Sequence, residues 1–207
     1  MKIRKTFKIK ADINQLEVGD VISFKLKDGE KVEARAAKRE GDKMLMHFVD
    51  CLEDEYPMND EDTNKGGYEE SNLRKILNTD IIGKFPNKIA KHIVPDKNGD
   101  NLFLLSIEEV CGLNSKFEKA EGQLSVYKKP KNRIKTLGKG GYSTWYWLRS
   151  PSDYSSYRGQ CFCYVGADGS ATAYYASAAY GVAPAFYLAI NNRRACPDGD
   201  NMTNKEE

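Results

Sequence analysis

Hydrophobic and polar residues alternate through the first part of the chain with the two-residue period of β-strands. Residues 18–26 (VGDVISFKL) follow this period and predict a strand. The turn pair Asp28-Gly29 comes next, so residues 31–36 are expected to return as the second strand of a hairpin. The alternation of apolar residues over 44–48 predicts a third strand.

Helical spacing replaces this alternation in the middle of the chain. Apolar residues three and four positions apart predict a helix over residues 68–78. Its start is left open between Ser71, a candidate N-cap, and Gly67 or an earlier residue. Residues 106–109 (SIEE) have the sequence of a capping box, which predicts a short helix that ends at Gly112.

Alternation resumes in the second half of the chain and predicts further strands. Residues 102–105 are apolar and indicate a short buried strand, and residues 145–149 also have the character of a strand. Residues 162–165 and 172–175 are predicted to form two strands that the turn at residues 166–169 (GADG) joins.

The last predicted strand covers residues 182–188, where Pro184 indicates an edge strand or a bulge. Strands at both ends of the chain around one or two helices predict a single α+β domain over residues 1–190, with a basic lead-in over residues 1–14. Residues 191–207 are polar and are predicted to form a flexible tail.

Composition limits the classes of protein to which the chain can belong. Its 207 residues suit one domain or two small ones, and 32 Lys and Arg against 30 Asp and Glu give no global signal for nucleic acid. No apolar run approaches the ~18 residues of a membrane-spanning helix, and the basic start lacks the apolar region of a secretory signal. Five cysteines, an odd and loosely spaced set, predict a reducing compartment, so a cytoplasmic or virion-associated location is expected.

Charge is unevenly distributed along the chain. Residues 2–10 and 128–139 carry five and six basic residues and no acidic one, whereas residues 50–62 carry seven acidic residues and no basic one. The basic run 128–139 could contact phosphate, but almost no aromatic residue interrupts it. A solvated loop, neutralised in space by the acidic run, is the favoured interpretation, and nucleic acid is disfavoured as a partner.

Three groups of residues carry possible chemistry, and each has a simpler structural interpretation. Cys161 and Cys163 would share one face of a strand; they are expected to be buried core residues, with a metal-binding pair or a single reactive thiol as alternatives. Residues 96–100 (DKNGD) lack the spacing of an EF-hand, so a plain turn is favoured. His47 and His92 are the only histidines, so hydrolase chemistry has weak support, and no metal or cofactor is predicted.

The strongest signal in the chain is the stretch of residues 152–190. It carries three charged residues in thirty-nine, with no Lys and no Glu, but seven of the twelve tyrosines and many Ser, Ala and Gly. Tyrosine supplies rigid contact area, and Ser and Gly supply adaptable hydrogen bonds, which is the chemistry of antibody-like recognition surfaces. An ordinary β-rich segment with Tyr on its half-exposed face is the alternative.

Residues 152–180 also use a restricted set of amino-acid types. Only Gln160 belongs to the set Lys, Glu, Gln, Met and Trp, the amino acids that no codon ending in C encodes. Nearly the whole stretch is therefore compatible with randomised asparagine codons of the form AAC, although an uncharged segment can also show this by chance.

Four short motifs in the second half of the chain resemble one bacterial and phage domain family. They are residues 145–151 (WYWLRSP), 162–165 (FCYV), 168–170 (DGS) and 181–186 (GVAPAF). Members of this family include variable proteins of diversity-generating retroelements, with a C-type-lectin-like fold related to formylglycine-generating enzymes. The resemblance extends over residues 15–190.

This resemblance implies an α+β, C-type-lectin-like domain in which fixed and variable positions alternate, with the variable region over residues 152–180. The variable, ligand-facing positions would be Asp153, Tyr154, Ser156, Tyr157, Arg158, Tyr164, Ala167, Ser170, Thr172, Tyr174, Tyr175, Ser177, Ala178 and Tyr180. The fixed positions that hold the scaffold would be Trp145, Trp147, Arg149, Phe162, Cys163, Val165, Gly169, Ala171, Ala176, Gly181, Val182 and Pro184.

The implied function is non-catalytic recognition of a macromolecular ligand, in the first place a protein, with the oligomeric state left open. The six tyrosines from residue 154 to residue 180 are the expected hot spots, because Tyr is enriched at such positions. Two alternatives stay open. One is a thiol enzyme of the formylglycine-generating type that uses Cys161 or Cys163, and the other is a fixed phage structural or adhesion protein.

The chain departs from the patterns of related proteins at several points. Many relatives carry Arg where this chain has Ala183, so another residue, with Arg149 as the candidate, must anchor the sheet. The calcium and sugar motifs of lectins are absent, so calcium-dependent sugar binding is not implied. The paired catalytic cysteines of formylglycine-generating enzymes are not clearly matched either.

Overall fold

Two β-sheets with short helices packed against them make up most of the described chain. The computed structural model describes residues 13–114, 121–152 and 159–190, together with the backbone of residues 6–8. In chain order the strands are β1 (Thr6–Lys8), β2 (Val21–Lys25), β3 (Lys31–Glu40), β4 (Lys43–Phe48), β5 (Glu55–Pro57), β6 (Ile93–Val94), β7 (Lys135–Thr136), β8 (Ser143–Thr144), β9 (Tyr146–Ser152), β10 (Cys161–Val165), β11 (Ala171–Tyr175), β12 (Ala179–Gly181) and β13 (Ala185–Ala189).

The α-helices are short and lie between β5 and β7. They are α1 (Asn72–Ile76), α2 (Asn87–Ala90) and α3 (Ile107–Cys111), with a π-helical turn at Leu77–Ile81 and 3₁₀ turns at Ile13–Gln15, Tyr68–Glu70, Ser125–Tyr127 and Pro130–Asn132. The described chain therefore belongs to the α+β class that the sequence predicts.

A six-stranded sheet contains the predicted N-terminal hairpin. Its strand order is β1-β2-β3-β4-β13-β6. β2 and β3 pair antiparallel, with Phe24 opposite Val32, and β4 pairs antiparallel with the other side of β3. These pairings confirm the three strands that alternation predicts in the first part of the chain.

The last strand occupies the interior of this sheet rather than an edge. β13 pairs antiparallel with β4 on one side and with β6 on the other. The expectation of an edge strand or bulge at Pro184 is therefore wrong. Pro184 lies just before β13, where no backbone donor is required of it, and its carbonyl accepts a hydrogen bond from the N–H of Phe48 at 3.0 Å.

Four phenylalanine rings form a central part of the core. Phe24, Phe48, Phe85 and Phe186 are each at most 6% exposed. Their neighbouring ring centroids lie 5.5–6.2 Å apart in tilted and edge-to-face arrangements, which aromatic pairs favour. Every residue of β4 after the first is buried, so both faces of the six-stranded sheet are covered at this strand.

The helix predicted over residues 68–78 is divided into three parts. The 3₁₀ turn Tyr68–Glu70 precedes α1, and the π-helical turn Leu77–Ile81 follows it. Ser71 is the N-cap of α1, since its side chain accepts a hydrogen bond from the backbone N–H of Arg74 at 3.2 Å. The continuous helix is a wrong prediction. Of the two starts left open, Ser71 caps α1, and Gly67 precedes the 3₁₀ turn.

α3 has the capping box that its sequence predicts. The Ser106 hydroxyl accepts a hydrogen bond from the Glu109 N–H at 3.1 Å, and the Glu109 carboxylate accepts one from the Ser106 N–H at 2.8 Å. Gly112 ends the helix with a φ of 72°. The residues 102–105 before it do not form the predicted strand; they make a single β-bridge, from Phe103 to β13.

A five-stranded sheet with the order β11-β10-β9-β12-β5 contains most of the motifs singled out in the sequence. β10 and β11 form the predicted hairpin, with Cys163 opposite Ala173. The turn between them requires Gly169, whose φ is 84°. A Cβ atom there would lie 2.5 Å from the carbonyl oxygen of Pro130.

The acidic and basic runs meet at the hairpin of β7 and β8. The Cys51 N–H donates to the Thr136 carbonyl at 2.9 Å, and the Thr136 N–H donates to the Asp50 carboxylate at 3.1 Å. The two runs therefore lie side by side, but these contacts are hydrogen bonds of backbone N–H groups, so the expected neutralisation of charge stays a prediction. The expectation of a solvated loop is wrong for Lys135, which is 1% exposed.

Candidate ligand-binding surface

One side of the five-stranded sheet carries a contiguous cluster of aromatic side chains, which we name the aromatic face. Its members are Trp145, Trp147, Tyr164, Tyr174 and Tyr180. Neighbouring ring centroids lie 4.8–6.3 Å apart, in tilted and T-shaped arrangements. Residues far apart in the chain thus form one surface.

Strand pairing explains why these rings come together. Tyr164 lies opposite Thr172 of β11 and opposite Trp147 of β9, and directly opposed residues point to the same side of a sheet. Tyr174 lies opposite Phe162, two residues before Tyr164 on β10. Since side chains alternate along a strand, Tyr174 and Tyr164 share that side.

The aromatic face has a buried base and an exposed rim. In the base, Trp147 is 1% and Tyr180 8% exposed. The Trp147 indole N–H donates to the carbonyl oxygen of Tyr56 at 2.9 Å, so the polar atom of this buried ring has a partner. At the rim, Trp145 and Tyr174 are 46% and 47% exposed.

Two residues differ from the roles that the resemblance implies. Trp145 is expected in the scaffold, but its half-exposed ring lies at the rim, 5.7 Å from that of Tyr164. Tyr180 is expected to face the ligand, but it belongs to the base. The reason is position in the sheet, because Trp145 lies just outside β9, whereas Tyr180 lies on β12, between β9 and β5.

The remaining predicted ligand-facing positions lie along β11 and in the turns at its ends. The exposed ones are Ser170, Thr172 and Ser177, and the half-buried ones are Ala167, Tyr175 and Ala178. Asp153, Tyr154, Ser156, Tyr157 and Arg158 lie outside the described residues.

Most of the predicted scaffold positions are buried. The buried ones are Trp147, Phe162, Cys163, Val165, Gly169, Ala176, Gly181, Val182 and Pro184, and the half-buried ones are Arg149 and Ala171.

Exposed carboxylates hold the turns at both ends of β11. Asp168 accepts hydrogen bonds from the Ser170 N–H and hydroxyl at 3.0 and 2.6 Å. Asp62 accepts hydrogen bonds from the Ser177 N–H and hydroxyl at 3.2 and 2.5 Å. Negative charge is therefore fixed beyond each end of the strand.

Burial and nearby negative charge keep the phenols of Tyr164 and Tyr180 protonated. Burial raises the pKa of Tyr164, and Tyr174 and the carboxylate of Asp168 raise it further. Burial likewise raises the pKa of Tyr180, and the neighbouring tyrosines and Glu55 add to this effect. These hydroxyls thus act as neutral donors and acceptors at physiological pH.

A family model described as "Domain of unknown function (DUF6273)" matches residues 40–190. The chain belongs to the DUF6273 family. No curated protein and no solved structure matches the chain. The DUF6273 match begins at the last residue of β3 and ends just after β13. It therefore contains every strand of the five-stranded sheet and the whole aromatic face.

Two negative findings apply to residues 13–114, 121–152 and 159–190 of the chain. None of the helices there is long and apolar enough to cross a membrane. No three His, Cys, Asp or Glu side chains there are grouped so as to hold a metal ion.

Cys161 and Cys163 lie on the side of β10 that faces away from the aromatic face. Their exposed fractions are 2% and 8%, as expected for core residues. Burial raises the pKa of the Cys161 thiol. A raised pKa disfavours the thiolate, which is the form that attacks electrophiles and binds metals.

We expect both thiols to be unreactive in the folded DUF6273 domain. In a variant with Cys111→Ser and Cys196→Ser, iodoacetamide should modify the remaining cysteines roughly a hundredfold more slowly in native buffer than in concentrated urea, because reaction requires local opening. Mass spectrometry of the digested protein locates the adducts. Fast native labelling at Cys161 or Cys163 would contradict the core role and favour the thiol-enzyme alternative.

Lys135 is a buried cation that the sequence pattern does not reveal. Its ammonium group donates to the carbonyl oxygens of Phe48 and Val49, the latter at 3.0 Å. It also lies 5.8 and 5.4 Å from the ring centroids of Tyr127 and Tyr146. Burial lowers the pKa of Lys135 to about 8. In the sequence this residue is one of six bases in a run that is typical of an exposed loop.

His47 lies beside this buried cation and has no ring nitrogen to spare. Its Nδ1 is 2.5 Å from the Tyr127 hydroxyl, and its Nε2 is 3.1 Å from the carbonyl oxygen of Ala183. Burial lowers the pKa of His47, and the charge of Lys135 lowers it further, so the ring is neutral. A neutral ring with both nitrogens engaged has a structural role, in line with the weak support for hydrolase chemistry.

Arg149 connects β9 to α3 and thus fits the anchoring role suggested for it. Its guanidinium donates to the Leu104 carbonyl at 2.9 Å, to the Glu109 carboxylate at 2.8 Å, and to the Glu121 carboxylate. Its backbone N–H donates to the Leu105 carbonyl at 3.0 Å. The side chain therefore serves the scaffold of the DUF6273 domain.

Two cavities lie around this ion-pair network. Their volumes are about 440 and 730 Å³, and both are lined by Tyr68, Lys97, Glu121 and Arg149. Three of these residues are already joined, since Glu121 pairs with Arg149 and, at 3.2 Å, with Lys97. We place the candidate site at the aromatic face, because its rim exposes two large aromatic rings.

Proposed function

We propose that this DUF6273 domain is a non-catalytic recognition module that binds a macromolecular ligand, in the first place a protein, through its aromatic face and residues 153–180. The rim of the aromatic face carries the proposal, because Trp145 and Tyr174 expose 46% and 47% of their surface on a base of buried rings. Rigid aromatic side chains lose little entropy on binding and are enriched at interface hot spots.

The residues around the rim support the same function. Ser170, Thr172 and Ser177 are exposed, and Ala167 and Ala178 are half-buried. Short polar and small side chains around aromatic anchors are typical of recognition surfaces, since they hydrogen-bond adaptably and let a partner approach closely.

A C-type-lectin-like fold and diversification by a retroelement belong to the same proposal. Half-buried Tyr164 lies between buried Cys163 and Val165, which supports the alternation of variable and fixed positions. A reverse transcriptase gene and a near-copy of the coding stretch for residues 152–180 beside the gene would favour the retroelement version. Their absence would favour a fixed phage structural or adhesion protein, for which the aromatic face would still be the contact surface.

A photocrosslinker at the rim tests the proposed function. With benzoylphenylalanine in place of Tyr174, irradiation of the native host cells is expected to yield discrete adducts, which gel shifts detect and mass spectrometry identifies. Adding Trp145→Ala to the same chain should remove most of these adducts, because the substitution deletes an exposed contact ring and leaves the base in place.

Lys25 provides the matched control position, because it is exposed on β2 in the six-stranded sheet. Equal adducts from residues 25 and 174, or none from residue 174, would reject the aromatic face as the binding surface. The thermal midpoint of Trp145→Ala should stay within about 4 °C of the wild-type value, which separates lost binding from lost folding.

A further inference from the structure

β11 is an edge strand, and its register shows which backbone groups are unpaired. In the described part of the chain it pairs with β10 and with no other strand. The Gly166 N–H donates to the Ser170 carbonyl at 2.7 Å, and the Ala176 N–H donates to the Gln160 carbonyl at 2.9 Å. These bonds flank the strand and fix the phase of the ladder.

Bonded positions recur at every second residue of an antiparallel pair. Thr172 and Tyr174, which are opposite Tyr164 and Phe162, therefore exchange hydrogen bonds with β10. The N–H and C=O groups of Ala171 and Ala173 point away from β10, and no partner for them lies among the described residues. The outer edge of β11 can accept another strand.

The sequence of β11 lacks the features that usually protect an edge strand. Proteins block such edges with Lys, Pro, bulges or covering segments. β11 (ATAYY) has no charged residue and no proline, and its pairing with β10 runs through five consecutive residue pairs without a bulge. A regular, uncharged edge suits an extended peptide that adds as a strand.

A strand added at this edge would lie beside the aromatic face. Thr172 and Tyr174 direct their side chains to that face, so every second side chain of an added strand would point to the same side, next to Tyr174. The Tyr174 ring is 47% exposed. An Arg or Lys side chain could therefore extend over it in a cation–π contact.

Away from the basic run at the Asp168 end, the charges around the aromatic face favour a cationic partner. Exposed Asp168 and Asp62 lie beyond the two ends of β11, and Glu55 is exposed on β5, at the other side of the aromatic face. Basic residues 128–133 come close at the Asp168 end, where their backbone contacts the turn at Gly169. The carboxylates thus lie beyond both ends of β11 and at the β5 side of the aromatic face, whereas the bases lie at the Asp168 end.

We propose that the ligand segment is an extended cationic peptide that pairs with the open edge of β11 and places Arg or Lys side chains on the ring of Tyr174. This inference rests on the proposed function, because it names the partner class and binding mode of the same surface. The backbone of the peptide would supply affinity through the groups of Ala171 and Ala173, and its alternate side chains would supply specificity.

Peptides from a displayed random library provide the probe. Linear peptides enriched on the immobilised domain are expected to carry Arg or Lys at alternate positions. The best peptide is then synthesised with one N-methyl group at each position in turn, which removes one backbone donor at a time. N-methylation at alternate positions should weaken binding roughly tenfold or more, and at the intervening positions should change it little, as measured by fluorescence anisotropy.

Ala173→Pro gives a second test on the protein itself. Proline removes an outward N–H and leaves the donors to β10 in place. The variant should therefore fold, and its affinity for the best peptide should fall roughly tenfold or more. Ala173→Ser, which keeps the N–H, is the matched control and should bind as the wild type does.

A flat N-methyl scan, enriched peptides without alternating basic residues, or no enriched peptide would overturn the inference. The crosslinker at residue 174 then decides the proposed function separately. Adducts there would leave a recognition surface with a different partner or binding mode, and their absence would reject both proposals.

Discussion

Replacing Lys135 by alanine is expected to lower the free energy of unfolding by about 3–5 kcal/mol. The side chain is 1% exposed, and its ammonium group satisfies the carbonyl oxygens of Phe48 and Val49. The substitution leaves a cavity and two buried acceptors without their donor, and both effects cost stability. Urea denaturation followed by tryptophan fluorescence at pH 7 measures the loss. A loss below about 1 kcal/mol would show that the buried cation contributes little to stability.

Lys135→Met separates the charge of this residue from its packing. Burial lowers the pKa of Lys135 from 10.5 to about 8, so between these pH values the unfolded wild-type chain binds more protons than the folded one. The free energy of unfolding of the wild type should therefore rise with pH through this window, relative to that of the Met variant, by up to about 3 kcal/mol. Urea titrations at several pH values across the window measure the difference.

Lys25→Met is the matched control for this pH dependence, because Lys25 is exposed on β2. Its stability should follow that of the wild type across the same window. Parallel curves for the wild type and Lys135→Met would mean that the ammonium group has its ordinary pKa in the folded protein, and the buried position would then not penalise the charge.

Elements whose structure depends on residues close together in the chain could be predicted from the sequence. The hairpin of β10 and β11 follows from alternation on both sides of a Gly-containing turn, and this alternation also places Tyr164 away from Cys163 and Val165. The capping box of α3 needs only Ser106 and Glu109, three positions apart. In these cases the physical cause lies within a few residues of its effect.

Strand order could not be predicted, and several wrong expectations have this origin. Pro184 is compatible with an edge strand, but β13 inserts between β4, early in the chain, and β6. Lys135 belongs to a basic run, but its position on β7 places its ammonium group against the carbonyl oxygens at the end of β4. Both outcomes depend on pairings between residues far apart in the chain, which no local pattern specifies.

The aromatic face shows the same limit within a single motif. Trp145 and Trp147 are two positions apart, so the sequence predicts that they share one side of a strand. Only the packing distinguishes them. Trp147 donates to the carbonyl oxygen of Tyr56 on β5 and contacts the ring of Tyr180 on β12. Trp145 lies just before the first residue of β9. The exposed residue at the rim therefore became visible only in the folded structure.

Arg149→Ala is expected to cost about 3 kcal/mol at pH 7.5, since it removes the half-buried cation that pairs with the buried carboxylate of Glu109. Arg149 pairs with Glu109 at 2.8 Å and with Glu121, and the Glu109 residue is 8% exposed. Without the guanidinium, the Glu109 carboxylate stays buried and has lost its cation. Arg149→Lys should recover only part of the loss, because an ammonium group lacks the planar fork that reaches several acceptors at once.

The loss at Arg149 should also depend on pH. Burial raises the pKa of Glu109, and the charge of Arg149 opposes this rise, so the pKa should be still higher in Arg149→Ala. Since the folded pKa then lies above the unfolded one, the stability of the variant should fall as the pH rises above 4.5, the ordinary pKa of a glutamate. Urea denaturation at pH 5 and at pH 8 measures the difference.

Two further variants make the result specific to the ion pair. Glu109→Gln, added to Arg149→Ala, removes the buried charge and should abolish most of the pH dependence. Lys38→Ala breaks an exposed ion pair with Glu40, 2.7 Å long, and should cost at most about 0.5 kcal/mol. If Arg149→Ala instead unfolds at the wild-type urea concentration at both pH values, the network of Arg149 does not hold the five-stranded sheet to α3, and the scaffold role inferred for this residue is wrong.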